Sequence, residues 1–163
     1  LMTLTSESGL RGIYSWLIGD LSGSSETLWP TALVALAGTT AILLCSRSLN
    51  LLMLGERDAR ALGVETRAVK VIVYVAASMI TAASVAVSGM IGFVGLVIPH
   101  AVRLVVGSDN RLVVPASALV GAAFLALGDT LSRTLFAPRE IHIGVVTALI
   151  GAPVFVYLLR RSW

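Results

Sequence analysis

The chain of 163 residues is 56% hydrophobic and only 13% charged, against about 25% charged residues in ordinary globular chains. Its apolar residues fall into long runs, with a mean hydropathy of +0.91, which excludes a soluble globular domain and indicates an integral protein of the lipid bilayer. The net charge of +3 does not indicate a nucleic-acid partner, because no basic cluster is interleaved with aromatic residues. The single cysteine, Cys45, excludes an intrachain disulfide and a cysteine metal cluster.

In chain order, five apolar segments are predicted to cross or enter the membrane. The third is irregular, because Gly92, Gly95 and Pro99 interrupt it, and it is predicted to form a tight turn at 91–95 and then a short helix. A polar loop at 128–142 is expected before the last segment. The sequence therefore predicts an all-α, polytopic transmembrane helical bundle in a single domain over residues 1–163. The five predicted segments are 30–46, 69–90, 91–106, 112–127 and 143–159.

A short charged stretch, "NLLMLGERDARALG", separates the first two spans. Ser48 or Asn50 is predicted to cap a first short helix that has leucines on one side. Gly55 permits a bend, and an acidic turn that includes Glu56 suits the positive N-terminal end of a second short helix. Gly63 is a suitable stop for that helix. Two capped helices favour a docking element for a partner outside the bilayer, although a solvated loop remains the alternative.

Lys and Arg residues divide unequally between the two sides of the predicted bundle. Cytoplasmic loops attract positive charge, so the side with more of these residues is predicted to be cytoplasmic. That side holds the charged stretch and the C-terminus. The richer side holds Arg47, Arg57, Arg60, Arg67, Lys70, Arg103, Arg111, Arg160 and Arg161, and the poorer side holds Arg11, Arg133 and Arg139.

A few ionisable residues near the predicted membrane are candidates for function. Asp129 and Arg133 are four residues apart on one helical face, which suits either an ion pair at the membrane edge or the docking of a partner. His100 is expected to form a structural hydrogen bond to a backbone group that Pro99 frees. His142 is far away in sequence and predicted on the opposite side of the bundle, and no acidic or thiol companion is nearby, so no metal site made of His100 and His142 is predicted.

The sequence contains neither a phosphate-binding GxxxxGK[ST] motif nor a pair of residues suited to catalysis. No catalytic residue and no bound cofactor are therefore predicted, and energy for any transport must come from a partner or an ion gradient.

Three stretches carry a family resemblance: "NLLMLGERDARALGV", "SGMIGFVGLVIPHAVRLVVGSDNRLVVPASALVGAAFLALGDTLSR" and "EIHIGVVTALIGAPVFVYLL". Together they resemble the FecCD-type permease subunit of ABC importers for iron–siderophores, haem and vitamin B12, over about residues 16–161. Permeases of this family have about ten helices, so the resemblance implies the C-terminal half of a type II importer permease. We expect the chain to be N-terminally incomplete relative to such a permease.

The resemblance implies roles for three groups of residues. The short helices at 49–63 are expected to be coupling helices that contact an ATPase subunit. Arg133, held by Asp129, is expected to dock an external substrate-binding protein, and the small-residue face of the last helix is expected to border the translocation path. The coupling residues are Leu51, Leu54, Gly55, Glu56, Arg57, Ala59, Arg60, Leu62 and Gly63, and the path residues are Gly144, Thr147, Ala148 and Gly151.

The resemblance also implies a set of partners and a location. The partners are a second permease copy or paralogue, a cytoplasmic ABC ATPase dimer that uses ATP, and the external binding protein. The expected location is the bacterial cell (inner) membrane, multi-pass, with the C-terminus in the cytoplasm. The cargo is expected to be a metal chelate, with ferric siderophore ahead of haem and vitamin B12. An ion-coupled secondary transporter is the alternative, but all nine Asp and Glu residues fall in predicted loops or span ends.

Overall fold

The computed structural model describes residues 16–21, 25–135 and 143–161. Within these residues the regular structure is entirely helical, which confirms the predicted all-α bundle. Residues 16–18 form a helical turn before the first full helix. The helices are α1 (Ser25–Leu44), α2 (Ser46–Leu52), α3 (Glu56–Ala61), α4 (Thr66–Ser88), α5 (Val94–Val106), α6 (Asn110–Leu135) and α7 (Ile143–Arg161).

Three of the helices are long and apolar enough to cross a membrane: Thr27–Leu44 in α1, Thr66–Ser88 in α4 and Asn110–Thr134 in α6. Two shorter apolar helices, Val94–Val106 and Ile143–Val156, accompany them. α1 packs on α4, whereas α5 packs on α6 and α7. Large apolar side chains along the outside of the bundle are exposed, among them Leu36 and Tyr74. Because lipid is the solvent that such surfaces require, the chain is a multi-pass membrane protein.

Two predicted boundaries are wrong in the same direction, because polar residues extend the helices. α1 begins five residues before Pro30, which lies inside it. The predicted polar loop at 128–142 is helical up to Leu135. In that stretch the hydroxyls of Thr130 and Thr134 donate to the carbonyls of Ala126 and Thr130, each at 2.8 Å. The hydroxyls are thus satisfied within the helix, so polarity marks the edge of the membrane rather than the end of the helix.

The predicted cap of the first short helix is also wrong. α2 begins at Ser46, directly after Cys45, and Ser48 and Asn50 lie inside the helix. The amide of Leu49 donates to the carbonyl of Cys45 at 2.9 Å, so the backbone turns from α1 into α2 without a side-chain cap. Since Asn50 is not needed at the helix start, its side chain is available for contacts with other elements.

The predicted break in the third apolar segment is partly confirmed. The backbone leaves the helical conformation after α4 and re-enters it at Val94, following Phe93 in the left-handed region at φ 66°. Gly95 and Pro99 do not interrupt α5, because Pro99 is only its sixth residue and removes a single donor from the ladder. The segment is therefore a turn followed by a continuous helix of 13 residues.

Residues 16–21 lie between the end of α4 and the start of α7. The amide of Met90 donates to the carbonyl of Trp16 at 3.2 Å, and the amide of Asp20 donates to the carbonyl of Ser88 at 2.9 Å. Gly144 permits this arrangement, because a Cβ atom built there would lie only 1.7 Å from the carbonyl oxygen of Ile18. The close approach of these backbones fixes the N-terminal end of α7 against the rest of the bundle.

Candidate functional site

The predicted coupling residues lie in a helical elbow, which consists of α2, a bend at Gly55 and α3 (residues 46–63). Gly55 adopts φ 117° and ψ 151°, a conformation that residues with a side chain rarely adopt. Its amide donates to the carbonyl of Leu52 at 3.1 Å, and its carbonyl accepts from the amide of Ala59 at 3.0 Å. The bend predicted at Gly55 is confirmed, and the hydrogen bonds on both sides tie each helix to it.

The second helix of the elbow ends in a Schellman motif. Gly63 lies in the left-handed region at φ 84° and its amide donates to the carbonyl of Arg60 at 2.9 Å. The amide of Val64 donates to the carbonyl of Ala59 at 3.0 Å, which completes the motif. The stop predicted at Gly63 is therefore confirmed, and it gives α3 a fixed length between the bend and α4.

Glu56 attaches α3 to the start of α4. Its carboxylate forms an ion pair with Lys70 on α4 and a second one with Arg60, at 3.1 Å, within α3. Arg60 also donates from Nε to the hydroxyl of Thr66 at 3.1 Å. The hydrogen bond and charge of Lys70, followed by the charge of Arg60, lower the pKa of Glu56 below its ordinary value. Ala59 of α3 is fully buried. α3 is thus joined to α4 at several points.

The outer surface of the elbow combines exposed apolar and charged side chains. Met53, Leu54 and Leu62 are each more than half exposed, although they lie outside the three candidate spans. Arg57, which lies between Leu54 and Leu62 in the sequence, is also exposed, and Leu51 is half-buried. Large apolar side chains exposed beside charges are typical of surfaces that bind another protein. The elbow therefore has the composition of a docking surface.

A polar cluster that the sequence did not predict joins the elbow to α6. Asn50 Nδ2 donates to Asp109 Oδ1 at 2.6 Å. Asn50 Oδ1 accepts from the amide of Asn110 at 2.9 Å and from its Nδ2 at 2.8 Å. Asp109 Oδ1 also accepts from the amide of Arg111 at 2.9 Å, so Asp109 caps the start of α6. That amide, followed by Asn50, lowers the pKa of Asp109.

The cluster determines which loops share a side of the bundle. Because Asn50 bonds to Asp109, the elbow and the loop at 107–109 lie together, as the count of Lys and Arg residues predicted. Arg133 is 23 residues after Asn110 on the same helix, about 35 Å along its axis. That distance exceeds the hydrocarbon thickness of about 30 Å. The elbow and Arg133 are therefore at opposite ends of α6, while the cytoplasmic orientation of the elbow stays a prediction.

Asp129 and Arg133 form the ion pair that their spacing predicts. Arg133 Nε donates to Asp129 Oδ2 at 2.8 Å, and the side chains are 48% and 26% exposed, respectively. Both residues belong to the last turns of α6, where the helix leaves the candidate span. The pair keeps the guanidinium at an accessible rim of the bundle. Docking of a partner at this position stays a prediction.

Three of the four residues predicted to border a translocation path pack inside the chain. Gly144 lies against Ile18, and Thr147 is 1% exposed, with its hydroxyl donating to the carbonyl of Gly144 at 3.1 Å. A Cβ atom on Gly151 would lie 2.3 Å from Cβ of Phe93. Ala148 is half-buried. The small residues thus let α7 approach the rest of the bundle, and their place at a translocation path stays a prediction.

The hydrogen bond predicted for His100 is not formed. Its side chain is exposed on α5 and makes no hydrogen bond to the described residues. α5 continues through Pro99, so the missing N–H of that residue does not end the helix. His142 lies outside the described residues. Among the described residues, no three His, Cys, Asp or Glu side chains form a group that could hold a metal ion.

Proteins similar to this chain include two permeases and a solved transporter. The cobalamin import system permease protein BtuC of Halobacterium salinarum is 46% identical over 160 residues, which cover 98% of this chain and 43% of that protein. The hemin transport system permease protein HmuU of Yersinia pestis is 42% identical over 166 residues, covering 99% and 49%. A solved "inward-facing conformation" of a "metal-chelate type ABC transporter" matches with a TM-score of 0.84 and 37% identity, covering 96% and 51%.

The chain thus spans about half the length of the relatives it matches. The similarity includes the elbow and α4 to α7, because it extends over nearly all of the chain. Residues 1–161 of this chain match the FecCD transport family. With that match and the helical architecture in agreement, this chain belongs to the FecCD transport family.

Proposed function

We propose that this chain is part of the membrane-spanning permease subunit of an ABC importer. The observation that carries the proposal is the elbow, which lies outside the candidate spans, is joined to α4 and α6, and exposes Leu54, Arg57 and Leu62. A docking element attached to two spans is what a separate ATPase needs to move them. The chain itself contributes no ATPase site in this proposal.

Two of the proposed partners bind at opposite ends of α6. A cytoplasmic ATPase dimer contacts the elbow, and an external substrate-binding protein contacts the rim at Arg133. A second permease copy or paralogue completes the translocation path. The protein is located in the cell (inner) membrane, with the elbow and the C-terminus in the cytoplasm. Residues 1–163 belong to one permease domain. The greater length of the relatives indicates that this domain includes further residues.

The proposed cargo is a metal chelate, with ferric siderophore ahead of haem and cobalamin. Support comes from relatives whose names refer to cobalamin and hemin, and from the solved metal-chelate type transporter. In this proposal the external binding protein, rather than this chain, is the main determinant of which chelate is carried.

The experiment uses the complete permease that contains this chain, reconstituted in proteoliposomes with its ATPase and binding protein. We expect uptake of a ferric siderophore to require ATP and the binding protein, and haem and cobalamin are tested in parallel. An imposed proton or sodium gradient without ATP is the control. Uptake driven by such a gradient alone would support an ion-coupled secondary transporter instead and would contradict the proposal.

A further inference from the structure

We infer that Asn50 is a positioning residue that joins the elbow to the N-terminal end of α6, so that a displacement of α2 is passed directly to that span. This inference rests on the proposed function, because it assumes that a partner moves the elbow. It assigns a role to a residue at the junction of two elements that are adjacent only in the folded chain.

The side chain of Asn50 is fully engaged with α6. Its donor, Nδ2, binds Asp109 Oδ1 at 2.6 Å, and its acceptor, Oδ1, receives two hydrogen bonds from Asn110, at 2.9 and 2.8 Å. Asn110 is only 8% exposed and its Nδ2 also lies 3.6 Å from Met53 Sδ. A junction with several directional bonds fixes both the distance and the angle between the two helices.

The contact is made to the first turn of α6 itself. Asp109 caps that helix through its side chain, and its carbonyl accepts from the amides of Leu112 and Val113 at 3.0 and 2.9 Å. Movement of Asn50 therefore acts on residues that belong to the hydrogen-bonded start of the span. A displacement applied to a flexible loop would be lost in movement of the loop, whereas a displacement applied to a helix cap is transmitted along the helix.

The elbow consequently has two separate attachments. α2 is joined to α6 through Asn50, and α3 is joined to α4 through Glu56 and Arg60. Gly55 lies between them, at the bend where the chain turns from α2 into α3. A force applied at the elbow is thus divided between two spans, and Asn50 determines the share that α6 receives.

The test exchanges the two side chains of the Asn50–Asp109 bond. Asn50→Asp alone places two carboxylates at hydrogen-bond distance, which breaks the junction. In the double variant Asn50→Asp with Asp109→Asn, Asn110 still donates to position 50. Because Asp109 Oδ1 accepts both from Asn50 and from the amide of Arg111, the side chain at position 109 must rotate so that its Nδ2 donates to position 50 while its Oδ1 accepts from that amide. Ser48→Asp is the matched control, since it adds the same charge to α2. Ser48 is half-buried, and its side chain forms no hydrogen bond to the described part of the chain.

Two measurements are made on the complete permease with its ATPase and binding protein. The first is uptake per ATP hydrolysed, which we expect to fall about tenfold in Asn50→Asp, to recover in the double variant and to be unchanged in Ser48→Asp. The second is the distance between spin labels at Arg47→Cys and Arg111→Cys in a Cys45→Ala background. We expect one narrow distance in the wild type and the double variant, and a broad distribution in Asn50→Asp.

A merely structural role would lower the amount of assembled complex without changing uptake per ATP hydrolysed in what remains. Unchanged uptake per ATP and an unchanged label distance in Asn50→Asp would overturn the inference, as would a double variant that has the narrow label distance but does not recover uptake per ATP. Asn50→Ala, which removes the bonds without adding charge, is used if Asn50→Asp does not assemble. The label distance is measurable without nucleotide, so an inactive wild type would contradict the proposed function while the junction is still tested.

Discussion

At the scale of single residues, Glu56 shows how an exposed carboxylate can organise a surface helix. Lys70 and Arg60 hold its two oxygens, and the resulting decrease in its pKa means that the folded elbow favours the ionised form. A carboxyl group whose pKa is lowered on folding stabilises the structure above its unfolded pKa and loses that effect as the pH falls through the folded value. The reference pKa for this group is 4.5.

We therefore expect α3 to remain joined to α4 at neutral pH and to separate from it in acid below that reference value. Hydrogen exchange of the α3 amides, corrected for intrinsic rates and followed by mass spectrometry, should be flat from neutral pH down to about 5 and then increase. Glu56→Gln should exchange faster than the wild type at neutral pH, lose the pH dependence and match the wild type in acid, where Glu56 is protonated. The same pH dependence in wild type and Glu56→Gln would show that another group is responsible.

Gly144 is the residue at which the packing of α7 is most sensitive to volume. A Cβ atom there meets the carbonyl oxygen of Ile18 at 1.7 Å, and backbone cannot yield as a flexible side chain would. We expect Gly144→Ala to lower the thermal stability of the complete permease in detergent by about 1–3 kcal/mol or more. Gly95→Ala is the control, because nothing lies within 4 Å of its added Cβ. Equal stability of the two variants would contradict the close approach of α7 to residues 16–21.

At the scale of elements, the elbow is a jointed pair of short helices rather than one rigid rod. Each helix is too short to be stable alone in water, so its stability comes from attachment to a span. The attachment of α3 depends on charge complementarity between Glu56 and Lys70, which predicts that reversing one charge has a different effect from exchanging both.

Glu56→Lys is expected to place three cations together at the base of α3 and to detach it from α4. The complete permease should still reach the membrane but lose uptake and partner-stimulated ATPase activity by about tenfold. Adding Lys70→Glu restores the pair in reverse and should recover most of both activities. Asp58→Lys is the control for the effect of charge on the helix dipole. Normal uptake by Glu56→Lys would remove the elbow from the coupling pathway.

At the scale of the whole molecule, α6 connects the elbow to the rim at Arg133. Its first residue belongs to the cluster of Asn50, and its last turns carry the Asp129–Arg133 pair. The helix is long enough to cross a membrane, so we expect its two ends to face different compartments. The exposed apolar surface between them suits lipid and further helices.

Opposite exposure of the two ends is tested with single cysteines in a Cys45→Ala background of the complete permease. Arg57→Cys should react with a membrane-impermeant maleimide only in inverted vesicles, and Thr134→Cys only in right-side-out vesicles. Leu36→Cys, within a span and 68% exposed on the outside of the bundle, should react in neither. Labelling of positions 57 and 134 from the same side would contradict this topology.

Arg133 is expected to orient the external binding protein through a carboxylate on that protein. A guanidinium can hold a carboxylate by two parallel hydrogen bonds, and at an exposed rim such a pair affects encounter more than affinity. Arg133→Glu should slow association by about tenfold at low salt, where surface charges act most strongly, and a charge reversal on the binding protein should restore it. Asp129→Asn, which retains the guanidinium but removes the charge that holds it, is the comparison. Unchanged association in Arg133→Glu would leave the ion pair with a structural role alone.

The sequence by itself determined the features that depend on local chemistry. Long apolar runs require lipid, so the all-α bundle and the spans follow from composition and periodicity. The bend at Gly55 and the stop at Gly63 follow from backbone conformations that glycine adopts readily. The i, i+4 spacing of Asp129 and Arg133 was sufficient to predict their ion pair.

Only the tertiary structure decided the contacts between distant residues. Asn50 was read as a helix cap, because the sequence shows its neighbours in the chain and not Asp109 and Asn110, which are 59 and 60 residues away. The place of the small face of α7 at a translocation path stays a prediction, and only the structure shows that Gly144 and Gly151 lie against Ile18 and Phe93. Small and polar residues suit several environments equally well, and which one they occupy is fixed only when the helices pack together.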